Sequence, residues 1–255
     1  MSILTAESIT VNYFGKPVIE DVSLYLKKRE LVCLVGASGV GKSTLFNVLS
    51  GTLAPDGGRV MLNGRDITAR AGEVSYMQQK DLLLPFKTVI DNVALPLVIR
   101  GEPKKSAREK AQKYAARFGI SGYESTYPNR LSGGMRQRAA LLRTYLFEKE
   151  VILLDEPFSA LDAITRAKMQ SWYLDVSDEL GLSALFITHD IDEAVFLSDR
   201  VYIMTGNPGR ITSEIKIDVK KPRDTSFITD ERFVEYKRKI LDILKNDNYF
   251  NSRGV

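Results

Sequence analysis

Residues Gly36-Ala37-Ser38-Gly39-Val40-Gly41-Lys42-Ser43 fill every fixed position of the pattern Gly-x-x-x-x-Gly-Lys-Ser/Thr. No other feature narrows the fold as much, because the pattern works in only one setting: after a buried strand and at the start of a helix. Its glycines let the backbone wrap an anion with the N–H groups turned inward, and the helix N-terminus adds partial positive charge. The setting is met. The apolar run Leu31-Val32-Cys33-Leu34-Val35 precedes the loop, and a helix over about Lys42 to Leu49 follows. In such a loop Lys42 reaches the β- and γ-phosphates of a nucleotide and Ser43 offers its hydroxyl to Mg²⁺, with Thr44 completing the phosphate-binding run.

The rest of the chain reads as an α/β fold around that loop. Val151 to Leu154, Ala184 to Ile187 and Val201 to Met204 are continuous apolar runs, as strands of a mostly parallel sheet require. A helix over about Ala163 to Leu180 separates the first two. Residues 3–35 alternate apolar and polar, with turn signals at Phe14-Gly15-Lys16-Pro17 and Lys27-Lys28-Arg29-Glu30, and predict short antiparallel strands leading into Leu31–Val35. Gly57 to Gly64 reads as turn, strand and turn. About 85–147 is charged and helical and reads as a lobe inserted in the core. Phe233, Ile240, Leu241 and Leu244 recur at helical spacing and predict a tail helix packed on its own domain. The expected organisation is one ATPase domain over 1–225 and a helical tail over 226–255. A hydrophobic share of 44% is enough to fill a core of that size.

The run Val151–Leu154 ends in Asp155-Glu156. Adjacent carboxylates at a buried strand tip are costly unless a cation or a reaction uses them, and the tips of parallel strands are where such folds bind ligands. Asp155 is the candidate Mg²⁺ ligand, through water, and Glu156 the candidate base for the water attacking the γ-phosphate. The single histidine, His189, ends Phe186-Ile187-Thr188 in the same way and is a candidate γ-phosphate donor that orients the water.

Net charge is +4, spread thinly among interleaved acids and bases, so nothing in it argues for nucleic acid. The lone Cys33 cannot form an internal disulfide and reads as a strand filler. No apolar run approaches the ~18 residues that span a bilayer, and Met1 to Thr10 lacks a basic start followed by an apolar stretch, so a membrane role would need another chain.

Phosphate loops occur in several families. Leu131-Ser132-Gly133-Gly134-Met135-Arg136-Gln137-Arg138 resembles the LSGGQ signature of ABC-type ATPases, with Met135 where glutamine is common. Ser132, Gly133 and Gly134 can present a second phosphate-binding nest at a helix start. The resemblance covers nearly the whole chain in the family's order. By it, Tyr13 stacks on adenine. Gln79, with Gln78 as the register alternative, reaches Mg²⁺ and the attacking water. Ser159-Ala160-Leu161-Asp162 touches an opposite subunit, and His189 is the switch histidine. The resemblance further implies a homodimer sandwiching two ATP molecules with Mg²⁺. It implies an integral membrane permease partner and, indirectly, an extracytoplasmic substrate-binding protein. The location implied is peripheral, on the cytoplasmic face of the membrane.

Gln79 to Val89 and Gly206-Asn207-Pro208-Gly209-Arg210-Ile211 look like the nitrate, sulfonate and taurine importer branch, whose relatives import thiamine precursors, although Trp is commoner at Phe86. The expectation is import of a small organic anion or related metabolite. A soluble ABC-type ATPase of the iron–sulfur assembly kind and an exporter subunit are the alternatives. The end of the chain soon after the core speaks against the sugar-importer branch and against a fused membrane part.

Overall fold

The computed structural model describes residues 2–221 and 223–245. Chain order begins with β1 (Ser2–Tyr13), β2 (Lys16–Lys27), β3 (Leu31–Gly36), α1 (Lys42–Leu49), β4 (Gly57–Leu62), β5 (Arg65–Asp66) and β6 (Ser75–Met77). The helices α2 (Val89–Val93), α3 (Leu95–Ile99), α4 (Lys104–Ala115) and α5 (Gly133–Tyr145) follow. The chain continues with β7 (Ile152–Asp155), α6 (Ala163–Leu180), β8 (Ala184–Thr188), α7 (Ile191–Leu197), β9 (Arg200–Thr205), β10 (Arg210–Lys216) and α8 (Glu231–Lys245).

These make two sheets. The antiparallel one runs β2-β1-β4-β5, and the larger runs β10-β9-β3-β8-β7-β6, parallel except where β10 pairs antiparallel with β9. This is an α/β arrangement in which a mostly parallel sheet is joined by a separate antiparallel one. The strands before β3 are not short. β1 and β2 each run twelve residues. Ser8 and Asp21 sit at φ 47° and 49° near register shifts in the pair, so bulges interrupt the alternation without ending the strands. The hairpin between them turns on Phe14 and Gly15, at φ 52° and 75°, the pair of positive angles that a two-residue type I′ turn demands.

Each central strand serves two cores. Leu31, Cys33 and Val35 of β3, with Ala184 and Phe186 of β8, face the helices α5, α6 and α7. Val32 and Leu34, with Leu185 and Ile187, face α1 and the antiparallel sheet. That is the period of two expected when both faces of a sheet are covered. Cys33 is fully buried, and burial pushes its thiol well up.

The lobe α2 to α5 lies between β6 and β7, which are neighbours in the sheet, so its two ends meet the core side by side. Helix α4 is rich in charge, and its three alanines, Ala107, Ala111 and Ala115, are spaced by four and buried against the lobe. Helix α8 buries Phe233 and Ile240 against the same core, while Leu241 and Leu244 stay half-buried. Residues 246–255 of the expected tail lie outside the described residues.

Candidate nucleotide site

Strand register brings the candidate residues to one edge. Val35 of β3 pairs with Thr188 of β8, and Asp155 of β7 pairs with Ile187, so the loop after Gly36, the Asp155-Glu156 pair and His189 leave the sheet together. The glycines are required by shape at two points. Gly41 sits at φ 105°, and a Cβ there would meet Ile19 Cγ2 at 2.3 Å. A Cβ on Gly36 would meet the Met204 carbonyl at 2.3 Å. Helix α1 then starts with no side-chain cap and no acid in its first turn, leaving its N-terminal N–H groups and dipole for an anion.

Lys42 folds back over its own loop. Its Nζ donates to the carbonyls of Gly36 at 2.8 Å and Ala37 at 2.9 Å. Burial lowers its pKa, opposed by Glu156 and Asp155. Asp155 is also buried, which raises its carboxyl, while hydrogen bonds from Ser43 and Tyr76 oppose the rise.

Glu156 is the most constrained of the group. Its φ of 46° is left-handed, a conformation a non-glycine residue keeps only when its surroundings hold it. Here its N–H donates to the Ile187 carbonyl at 3.0 Å. Its carboxylate lies between two neighbours. Gln79 Nε2 donates to Oε2 at 3.0 Å, and His189 Nδ1 is 3.1 Å from Oε1. Ser38, Gly39, Gly41, Lys42, Ser43, Thr44, Gln79, Glu156 and His189 line one cavity of about 330 Å³. Of the two glutamines it is Gln79 that lines it. Ala37 and Val40 belong to the same loop, Val40 being buried against Gly36 and Gly209.

Two groups of candidates stand apart. Tyr13 is 42% exposed at the end of β1 beside the hairpin turn. Ser132 caps α5, accepting from the Met135 N–H at 3.3 Å. Gly133 lines a different groove with Lys80, Asp81 and Leu161. A Cβ on Gly134 would sit 3.1 Å from Thr165 Cγ2, so α5 approaches the start of α6 closely. Arg136 is 3.3 Å from Asp81, and the Gln137 amide donates to the Pro157 carbonyl. Residues 131–137, 79–82 and 157–162 are thus tied together within one chain.

Sequence reasoning did not single out Tyr76, whose hydroxyl donates to Asp155 Oδ2 at 3.4 Å, nor Arg166, which reaches Asp190 at 3.4 Å and the Leu161 carbonyl at 2.9 Å. The available signal was position: Tyr76 precedes Gln79 by three residues, and Arg166 lies one turn into α6.

The family model described as ABC transporter matches residues 19–159, more than half of the chain. The chain belongs to the ABC transporter family. Curated relatives agree over nearly its full length. A formylaminopyrimidine import ATP-binding protein of Halalkalibacterium halodurans is 39% identical over 245 residues, covering 95% of this chain and 96% of the relative. A taurine import ATP-binding protein of Pseudomonas aeruginosa is 41% identical over 251 residues, covering 95% of each. Among solved structures, a dimeric post-hydrolysis ATP-binding cassette, MJ0796 bound to ADP and Pi, superposes with a TM-score of 0.73 at 26% identity, covering 85% of this chain and 100% of that one. This ABC transporter subunit is therefore a nucleotide-binding ATPase cassette coupled to transport, of the importer branch that the sequence resembles.

Proposed function

We propose that this ABC subunit binds MgATP at the cavity between Lys42 and Glu156, hydrolyses it as a homodimer, and energises import of a small organic anion or related metabolite. The observation that carries the reading is the Glu156 carboxylate held by Gln79 and His189 across a cavity from the phosphate loop. Glu156 takes the proton of the attacking water. Gln79 and His189 orient that carboxylate and the water, and Lys42 with the α1 N-terminus bears the phosphate charge.

The donor set suits Mg²⁺. A buried carboxylate, Asp155, hydrogen-bonded to the Ser43 hydroxyl offers hard oxygens beside a polyphosphate, with the Gln79 amide oxygen a third donor. When bound, the ion neutralises charge on the β- and γ-phosphates. Ser132, Gly133 and Gly134 are absent from the cavity of their own chain, which supports their closing on the ATP of a second copy. The dimeric MJ0796 cassette supports the same arrangement.

The domain division that goes with this reading is one ATPase domain over 1–225, with a helical lobe over about 85–147 inserted, and a helical tail over 226–255. The lobe side carries exposed Leu82, Phe86 and Ile99, and such apolar groups suit docking of an integral membrane permease subunit. No described helix is long and apolar enough to cross a membrane. The location that goes with this reading is peripheral, at the cytoplasmic face of the membrane. An extracytoplasmic binding protein would deliver the solute, as the taurine and formylaminopyrimidine import names of relatives suggest. Affinity purification from native membranes should recover a multi-spanning protein, and that complex in vesicles should hydrolyse ATP faster when binding protein and solute are added. Recovery with soluble partners alone would favour the iron–sulfur assembly reading.

Tyr13 is assigned to adenine. Tyr13→Ala should weaken nucleotide binding by ~1 kcal/mol, as loss of one base–aromatic stack does, and Tyr13→Trp should bind normally. Titration with a fluorescent nucleotide reads both. A larger loss in Phe14→Ala, whose ring is fully exposed at the turn, would move the assignment one residue on.

A further inference from the structure

Helix α7 begins two residues after His189, and the C-terminal segment holds it at both ends. At its C-terminal end the Arg223 guanidinium donates to the carbonyls of Val195, Phe196 and Ser198 at 2.8, 3.0 and 2.8 Å. A helix leaves such carbonyls unpaired, and here a buried cation closes them. Along its side, Phe233 and Ile240 of α8 share a core with Val195 and Phe196. At its N-terminal end Lys237 Nζ of α8 lies 2.6 Å from Asp192 Oδ1 and 2.9 Å from Oδ2.

That first turn is crowded with negative charge. Asp190 caps it, accepting from the N–H groups of Asp192 at 2.9 Å and Glu193 at 3.2 Å. Glu193 is buried and accepts from the Thr188 hydroxyl, and burial pushes its carboxyl up to about 7. Asp190 and Asp192 favour a helix start but repel one another. Two cations face them from neighbouring helices: Arg166 of α6 on Asp190, and Lys237 of α8 on Asp192. His189 sits directly before this turn, with its imidazole 63% exposed and its Nδ1 against Glu156.

We propose that Lys237 is a positioning residue for hydrolysis: the C-terminal helix braces the first turn of α7 and so keeps the His189 imidazole against Glu156. The inference rests on the reading that His189 and Glu156 act in hydrolysis. Lys237 and Asp192 are each about half-exposed, 41% and 47%, and such a pair adds little to global stability. Its charge can be changed without unfolding the chain, and its effect belongs in turnover.

The experiment compares Lys237→Glu, Lys237→Arg and the exchange Lys237→Glu with Asp192→Lys in the full-length subunit, reading kcat, nucleotide affinity and Tm. Lys237→Glu should lower kcat about fivefold with affinity and Tm unchanged. Lys237→Arg should turn over nearly as wild type, and the exchange should recover at least half of the loss. A wild-type rate in Lys237→Glu, or losses that track Tm in all three variants, would overturn the brace. His189→Ala separates the two levels. If it still hydrolyses ATP, the site reading itself fails. If it is inactive while Lys237→Glu is not impaired, only the brace fails.

Discussion

Glu156→Gln is expected to stop hydrolysis and leave two subunits joined around ATP. Glutamine keeps the shape of the side chain and one acceptor oxygen, so the contact from Gln79 Nε2 can persist. Its amide N–H₂ would then face His189 Nδ1, which the imidazole accommodates by carrying its proton on the other nitrogen. What is lost is a base for the water proton and a negative charge that favours the developing hydroxide, together worth about a hundredfold in rate or more. Repulsion beside the γ-phosphate falls as well, which favours the closed pair. Size-exclusion chromatography with and without ATP, run beside a phosphate-release assay, measures both effects. A variant that hydrolyses at the wild-type rate would remove Glu156 from its role. Asp155→Asn should differ, weakening nucleotide binding itself through loss of the Mg²⁺ anchor.

Lys42→Ala should abolish tight MgATP binding. The amine already points along the loop, held by the Gly36 and Ala37 carbonyls, and need only exchange those bonds for phosphate oxygens. Losing a charge-assisted hydrogen bond costs about 3 kcal/mol, or roughly a hundredfold in Kd. Burial lowers the lysine pKa, and a bound polyphosphate opposes that shift as Glu156 and Asp155 do. Equilibrium titration with a fluorescent nucleotide is the measurement, with thermal unfolding as the check on folding. Unchanged affinity would reduce Gly36–Ser43 to a helix cap.

The elements that carry chemistry were legible because local pattern and position coincide in them. Helix α1 runs Lys42–Leu49 and α6 runs Ala163–Leu180, as the glycine loop before the first and the apolar strands on either side of the second indicated. The apolar strands ending in Asp155-Glu156 and His189 announced a shared edge. Weaker signals belonged to elements that are short or half-exposed. Strand β6 has three residues, α7 has seven, and β10 alternates fully with solvent at the sheet edge. Strands β1 and β2 run longer than expected because the positive-φ residues Ser8 and Asp21 interrupt the alternation without ending the strands. Contacts such as Tyr76 with Asp155, or Lys237 with Asp192, join segments far apart in the chain and leave no local trace.

The pairing of Val35 with Thr188 and of Asp155 with Ile187 makes the larger sheet a measuring rod for the reaction. Sliding β3, β7 or β8 by one residue would shift one reacting group against the others by about 3.3 Å and turn every side chain of that strand toward the wrong core. Additions within the lobe between β6 and β7 leave this spacing untouched, because both ends of the lobe return to adjacent strands. Length variation among such chains should therefore gather in the lobe, the hairpins and the tail, while β3, β7 and β8 hold a fixed length.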